Sequence, residues 1–159
     1  MKEQAAIRAG ELLRRCRVAA LGTLHDGAPA VSMVPYAIAA EPFAIVVLLS
    51  ALAAHTKDLL ADPRAGLMIT EPEGATTPPH ALARVSLQGE ARPLRGDGAR
   101  HAAARAAYVA RFPDMAMLFG LGDFELFAIE PVAVRAVMGF AQAHSLTPAT
   151  LAGATLAPG

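Results

Sequence analysis

The chain has 159 residues, 14 lysines and arginines against 14 aspartates and glutamates, and an apolar fraction of 54%. That length supports one domain with a sizeable core, and zero net charge without a basic stripe excludes a nucleic-acid surface. No apolar run approaches the roughly 18 residues of a membrane span, and the lone Cys16 cannot close an internal disulfide. With no signal-peptide core between Met1 and Arg15, the reading is a soluble, cytoplasmic protein with no membrane partner, whose excess apolar surface is covered in a homodimer.

Ala5, Ala6, Ala9, Leu12 and Leu13 recur at helical spacing and predict an amphipathic helix over residues 3–15. Two apolar runs, Arg17 to Leu24 and Ala30 to Ala39, flank Asp26-Gly27, the dipeptide of a tight hairpin. Phe43 to Leu49 contains no polar residue, as a central strand covered on both faces requires. The period then changes. Leu52, Thr56, Leu59 and Leu60 share a helical face between Ser50, placed as a cap, and Pro63, which ends the helix. Ala65 to Thr70 predicts a further strand, and the prolines of Glu71 to His80 a loop.

Ala83 to Arg92 alternates apolar and polar residues without a fault, so one face enters a core and the other is wet or meets a ligand. Asp97 is placed to cap an alanine-rich helix running to Arg111, which Pro113 ends. Two closing strands, Phe124 to Ile129 and Val132 to Met138, are joined at Glu130-Pro131, and residues 147–159 read as a flexible tail after a single domain of residues 1–146. Some seven strands joined mostly by hairpins give a mainly β, α+β fold: an antiparallel barrel with peripheral helices.

No phosphate-binding P-loop, nucleophile elbow or dinucleotide fingerprint is present, and the five histidines lack the spacing of a metal site. Three local features carry chemistry. Ser50, His55, Thr56 and Lys57 gather hydroxyls, an imidazole and an ammonium at a helix start, where free N–H groups and the positive dipole end suit a phosphate. On spacing alone, a capping Ser50 beside exposed His55 and Lys57 is the simpler account. Pro35 interrupts the strand Val31 to Ala37 and leaves an edge that could bond a flat heterocycle, or that is merely blunted. Gln88 could reach the same heterocycle, or face solvent.

Together these segments resemble the pyridoxamine 5'-phosphate oxidase-like FMN-binding split barrels, in particular the branch that includes haem-utilisation proteins. The resemblance rests on Ala20-Leu21-Gly22-Thr23, Ser32-Met33-Val34-Pro35-Tyr36, Ser50 with His55-Thr56-Lys57-Asp58-Leu59, Asp62-Pro63-Arg64-Ala65, Leu87-Gln88-Gly89, Tyr108 to Pro113, Phe119-Gly120, Gly122-Asp123-Phe124 and Gly139-Phe140. It implies an antiparallel split β-barrel, a homodimer and two FMN sites at the subunit interface. Ser32, Met33, Val34 and Pro35 would then lie along the isoalloxazine, Ser50, His55, Thr56 and Lys57 near the phosphate and ribityl chain, and Gln88 would approach the flavin from a neighbouring strand. The oxidases carry an arginine where Ser32 stands and a richer basic run than Ala53-Ala54 provides.

The expectation is an FMN-dependent oxidoreductase acting on a small-molecule redox substrate, with no catalytic side chain assigned because the flavin carries the chemistry. Two alternatives on the same fold are a haem-binding protein, in which His55 or His144 approaches the iron, and a non-catalytic dimer. A deazaflavin in place of FMN is a further option.

Overall fold

The computed structural model describes residues 1–95 and 98–158. It contains α1 (Lys2–Arg15), β1 (Val18–His25), β2 (Ala28–Pro35), β3 (Ala37–Ala39), β4 (Ala44–Ser50), α2 (Ala54–Ala61), β5 (Arg64–Thr70), β6 (Arg84–Pro93), α3 (Gly98–Arg111), β7 (Phe124–Val137), β8 (Ala143–Leu146) and α4 (Pro148–Leu156). The strands form one antiparallel sheet in the order β2-β1-β5-β6-β7-β4-β3, with β8 added beside β7. Its two edge strands are consecutive in the chain and separated by Tyr36 alone. A single residue cannot span a flat seven-strand sheet, so the sheet rolls until the end of β2 reaches the start of β3, which makes the expected split barrel with β2 left as an edge.

The Asp26-Gly27 turn is as predicted, with both residues at positive φ (50° and 81°), the combination that matches strand twist in a two-residue hairpin. In such a hairpin His25 and Ala28 exchange hydrogen bonds and every second pair does so after them, which leaves the amide positions of residues 29, 31, 33 and 35 facing away from β1. Pro29 and Pro35 occupy two of those four. They fit because no ladder bond is asked of them.

β4 is buried along its length, as expected. Ile45, Val47 and Leu49 face a core shared with α1, β1, β5 and β6, while Ala44, Val46 and Leu48 face a second core under Tyr108 of α3 and Phe112 just after it. Three expectations change. The strand from Ala30 to Ala39 is two strands, because the chain turns from one sheet edge to the other at Tyr36. Glu130-Pro131 is no turn: β7 runs through it, and a bulge opposite Gln88 and Gly89 absorbs the proline, whose missing amide removes no bond there. The two halves of β7 pair with different strands, β4 and then β8, which is why they read as separate segments.

The third change is the tail. Residues 148–156 form α4, capped by Thr147, whose hydroxyl accepts from the Thr150 amide. α4 crosses α1 at Gly10, where a Cβ would stand 2.6 Å from the Ala154 carbonyl oxygen. Arg14 closes the contact by donating to the carbonyls of Ala154 and Thr155. Low side-chain volume, which suggests a frayed end in sequence, here permits close helix crossing. The expected Asp97 cap of α3 lies outside the described residues.

α2 begins after Ser50, with Ala53 at its N-cap. Ser50 therefore does not cap it; its hydroxyl oxygen accepts from the Leu52 amide in the preceding turn. What holds α2 is a carboxylate. Asp58, 6% exposed, accepts from the Thr23 hydroxyl at 3.0 Å and from His25 Nδ1 at 2.7 Å, both on β1. Burial of a charge is tolerated when hydrogen bonds replace its water shell. The bond from His25 holds the Asp58 carboxyl below its ordinary 3.8, helped by Thr23, and the same bond holds His25 above its ordinary 6.5.

Two outcomes follow for stability. Helix propensity alone favours alanine over glycine at Gly10 and Gly153 alike, by up to about 1 kcal/mol. Packing reverses the sign at Gly10: Gly10→Ala should destabilise by roughly 1 to 3 kcal/mol, whereas Gly153→Ala, with open space around it, should be neutral or stabilising in urea melts. The Asp58–His25 pair contributes fully between the two ordinary values. Its carboxylate share is lost as pH falls below 3.8 through the depressed value, and its imidazole share as pH rises above 6.5 through the raised one. The urea midpoint of the wild type should therefore fall between about pH 5.5 and about pH 8.5 by more than that of His25→Gln; parallel profiles would contradict the linkage.

Candidate functional site

The hairpin β1–β2 and helix α2 together carry a cluster of hydrogen-bonded polar side chains beside the β2 edge of the sheet. On β1 the inward phase is Ala19, Leu21 and Thr23; on β2 it is Ala30, Ser32 and Val34, by register. Val34 is buried in the core, while Ser32, nearer the hairpin tip, is half-buried and meets α2. Its Oγ lies 3.0 Å from His55 Nδ1. Burial draws the His55 imidazole below its ordinary 6.5, only partly opposed by Asp58 one turn on. The structure thus joins two residues that sequence reasoning placed in the same site 23 positions apart.

The remaining members of the expected phosphate seat are engaged elsewhere. The Thr56 hydroxyl is buried and donates to the Ser50 carbonyl at 2.6 Å. The Ser50 hydroxyl lies 3.5 Å from the Asp123 carboxylate, and the Ala51 amide donates to the Asp123 carbonyl at 2.6 Å. A carboxylate at that position repels an anion. Lys57 is exposed and makes no ion pair among the described residues. It is the one cation of the segment.

Met33 and Gln88 stand on the opposite, outer face of the sheet. There Val31, Gly22, Gly66, Gln88 and Ala133 form one cross-strand row, and Met33, Ala20 and Met68 the next. The adjacent glycines leave a trough: a cavity of about 530 Å³ is lined by Gly22, Leu24, Gly66, Gln88 and Val132, with Arg64 and Glu90 at one end. Val31 is 76% and Met33 64% exposed beside it. Within one protomer, then, Gln88 does not share a face with Ser32 and His55. Pro35 is half-buried at the end of β2 and contributes shape only.

Sequence reasoning assigned no role to Thr23, His25 and Asp58. A signal was present, since Thr23 interrupts an otherwise apolar inward phase of β1 and Asp58 lies beside the buried Thr56 and Leu59 on α2. Their meeting depends on the helix docking angle, which no local pattern encodes. His144, weighed above as a ligand, falls in β8 opposite Ala136.

Known proteins of similar sequence and fold include several named for haem. The chain is 40% identical over 120 residues to the chloroplastic heme oxygenase HOZ of Arabidopsis thaliana, covering 75% of this chain and 35% of that protein. A heme binding protein from Mycobacterium smegmatis superposes with a TM-score of 0.82 at 33% identity, over 94% of this chain and 60% of that one. HutZ, the heme storage protein of Vibrio cholerae, gives 0.71 at 26% identity over 82% and 91% of the two chains. The chain spans about a third of the plant relative and three fifths of the mycobacterial one. The family model for pyridoxamine 5'-phosphate oxidase matches residues 6–138, which takes in α2, α3 and every strand from β1 to β7, and the chain belongs to that family.

Proposed function

We propose that this chain is a haem-binding protein that works as a homodimer of split barrels. The observation that carries the reading is the Ser32–His55 contact at 3.0 Å. Where the oxidases place a guanidinium for the flavin phosphate, this chain places a hydroxyl bonded to an imidazole. A phosphate dianion asks for charge-assisted donors, and here the Ser50 and Thr56 hydroxyls are engaged, Asp123 adds a negative charge, and Lys57 alone remains. Haem iron, by contrast, takes an imidazole as its protein ligand. The relatives in Mycobacterium smegmatis and Vibrio cholerae, named for binding and storing haem, support the same choice.

When bound, haem supplies the redox chemistry, and the residues of this chain bind it, orient it and set its surroundings. The homodimer is supported by the outer face, where Val18, Val31, Met33 and Met68 expose apolar side chains across three adjacent strands. A contiguous patch of that kind on a chain of zero net charge marks an association surface. Gln88 lies in the trough beside that patch, so it would meet a neighbouring subunit.

Purified protein titrated with haemin should develop a Soret band with a defined stoichiometry of one haem per chain. Titration with FMN should leave flavin fluorescence unquenched. Quenched flavin and an unchanged haemin spectrum would return the protein to the flavin side of its family. On the outer face, Met33→Glu should convert a sedimenting dimer to monomer, weakening association by about two decades or more, because a carboxylate would be buried without a partner. A variant that sediments as the wild type does would remove this face from the interface.

A further inference from the structure

We propose that α2 is a strap on the β1–β2 hairpin, fastened through Asp58, which opens as a unit while the barrel stays folded and parts His55 from Ser32 as it does so. The inference goes beyond haem binding and stands apart from it. Its first ground is how little apolar packing holds this helix. α2 has eight residues, short of the roughly 12–15 at which a helix begins to hold by itself in water, and no side chain caps its start. Its buried residues are Thr56, Asp58 and Leu59, so Leu59 alone is an apolar anchor in the main core. α1, by comparison, buries Ala5, Ala6, Ala9, Gly10, Leu12 and Leu13 along one face.

Hydrogen bonds do the work that packing does elsewhere, and three of them come from a single hairpin. The Thr23 hydroxyl donates to Asp58 at 3.0 Å, His25 Nδ1 bonds the same carboxylate at 2.7 Å, and Ser32 Oγ meets His55 Nδ1 at 3.0 Å. The segment is fixed at both ends by the backbone. Before it, the Ala51 amide donates to the Asp123 carbonyl at 2.6 Å; after it, the Pro63 carbonyl accepts from the Ala91 amide of β6 at 2.7 Å. Between these points Leu52 is 77% exposed, and no residue of α2 belongs to the sheet ladder. Opening therefore costs the hairpin bonds, the Thr56 bond to the Ser50 carbonyl and the burial of Leu59, and leaves every strand pairing intact. Segments with few buried apolar contacts open in this way well below the free energy of global unfolding.

The fastening is a charge pair, and its charged surroundings are few. Asp58 faces His25 and, on its own helix, His55; His25 faces Asp58 and Asp26, whose carboxylate lies 3.6 Å from Nε2. Lys57 is exposed on α2. Among the described residues, β2 brings the Ser32 hydroxyl and no charge, and the inward phase of β6, Val85, Leu87, Gly89 and Ala91, is apolar. Loss of the His25 proton leaves Asp58 buried against a neutral partner, so the strap loosens as pH rises through and above the ordinary imidazole value of 6.5.

The test is native-state hydrogen exchange of the full chain, read by mass spectrometry on peptides from α2, β4 and β7 and corrected for the chemical rate at each pH. In the wild type the amides of residues 57–62 should exchange at least a hundredfold faster than those of β4 and β7, at a rate that low urea leaves unchanged. Thr23→Val, which removes one bond to the carboxylate, should speed α2 at least tenfold and leave β4 and β7 as they were. Thr23→Ser keeps the hydroxyl and should match the wild type. Wild-type protection of α2 should fall between about pH 5.5 and about pH 8.5, and His25→Gln should flatten that profile. Exchange of α2 at the same urea-dependent rate as β4 and β7 overturns the proposal, because the helix then opens only with the barrel. So does a Thr23→Val protein in which all three elements speed up together, or one in which α2 is unchanged. A His25→Gln profile parallel to the wild type removes His25 as the fastening.

Discussion

The architecture turns on one residue. Tyr36 is all that separates β2 from β3, strands at opposite edges of the sheet, so the sheet has no choice but to roll. Tyr36 is fully buried, and its hydroxyl donates to the Leu13 carbonyl at 2.7 Å, at the C-terminal end of α1. Arg111, from the end of α3, lies over the Tyr36 ring at 4.9 Å and donates to the carbonyls of Leu13, Arg14 and Cys16. A cation there meets the negative end of the α1 dipole and its unpaired carbonyls together. One corner thus joins the sheet closure, the first helix and the third.

Much of this was legible in sequence because it is local. The Asp26-Gly27 turn, the apolar run of β4 and the alternation of β6 each follow from a few neighbouring residues, and each appears in the structure at the expected place. What was not legible depends on distant partners. β7 looked like two strands because its halves answer to β4 and to β8, and α4 looked like a tail because small residues signal both fraying and close packing. In the candidate site, the sequence pointed to Ser32 and His55 separately. Their contact requires α2 to dock at one angle, and that angle is fixed by Asp58, a charged residue whose exposed-looking character concealed it.

The chemistry of the candidate site is set by few positions. An arginine at position 32 would present a permanent charge to a phosphate; Ser32 presents a small oxygen that a histidine can use. With His55 bonded to Ser32, and Thr56 and Ser50 tied to the turn around Asp123, little of the segment is left to hold an anion. Such a change leaves the barrel untouched, because none of these residues belongs to the apolar cores.

The two prolines of β2 have a consequence beyond the hairpin. An open sheet edge invites another chain to continue it, and a rolled sheet whose halves are joined through a single residue keeps such an edge along β2. Pro29 and Pro35 leave amide donors there only at Val31 and Met33, too few for a visiting strand to hold its register. Backbone pairing is discouraged at the rim, while the side chains of those same two residues remain free to associate face to face. The strand discourages pairing from the side and leaves its outer face uncovered.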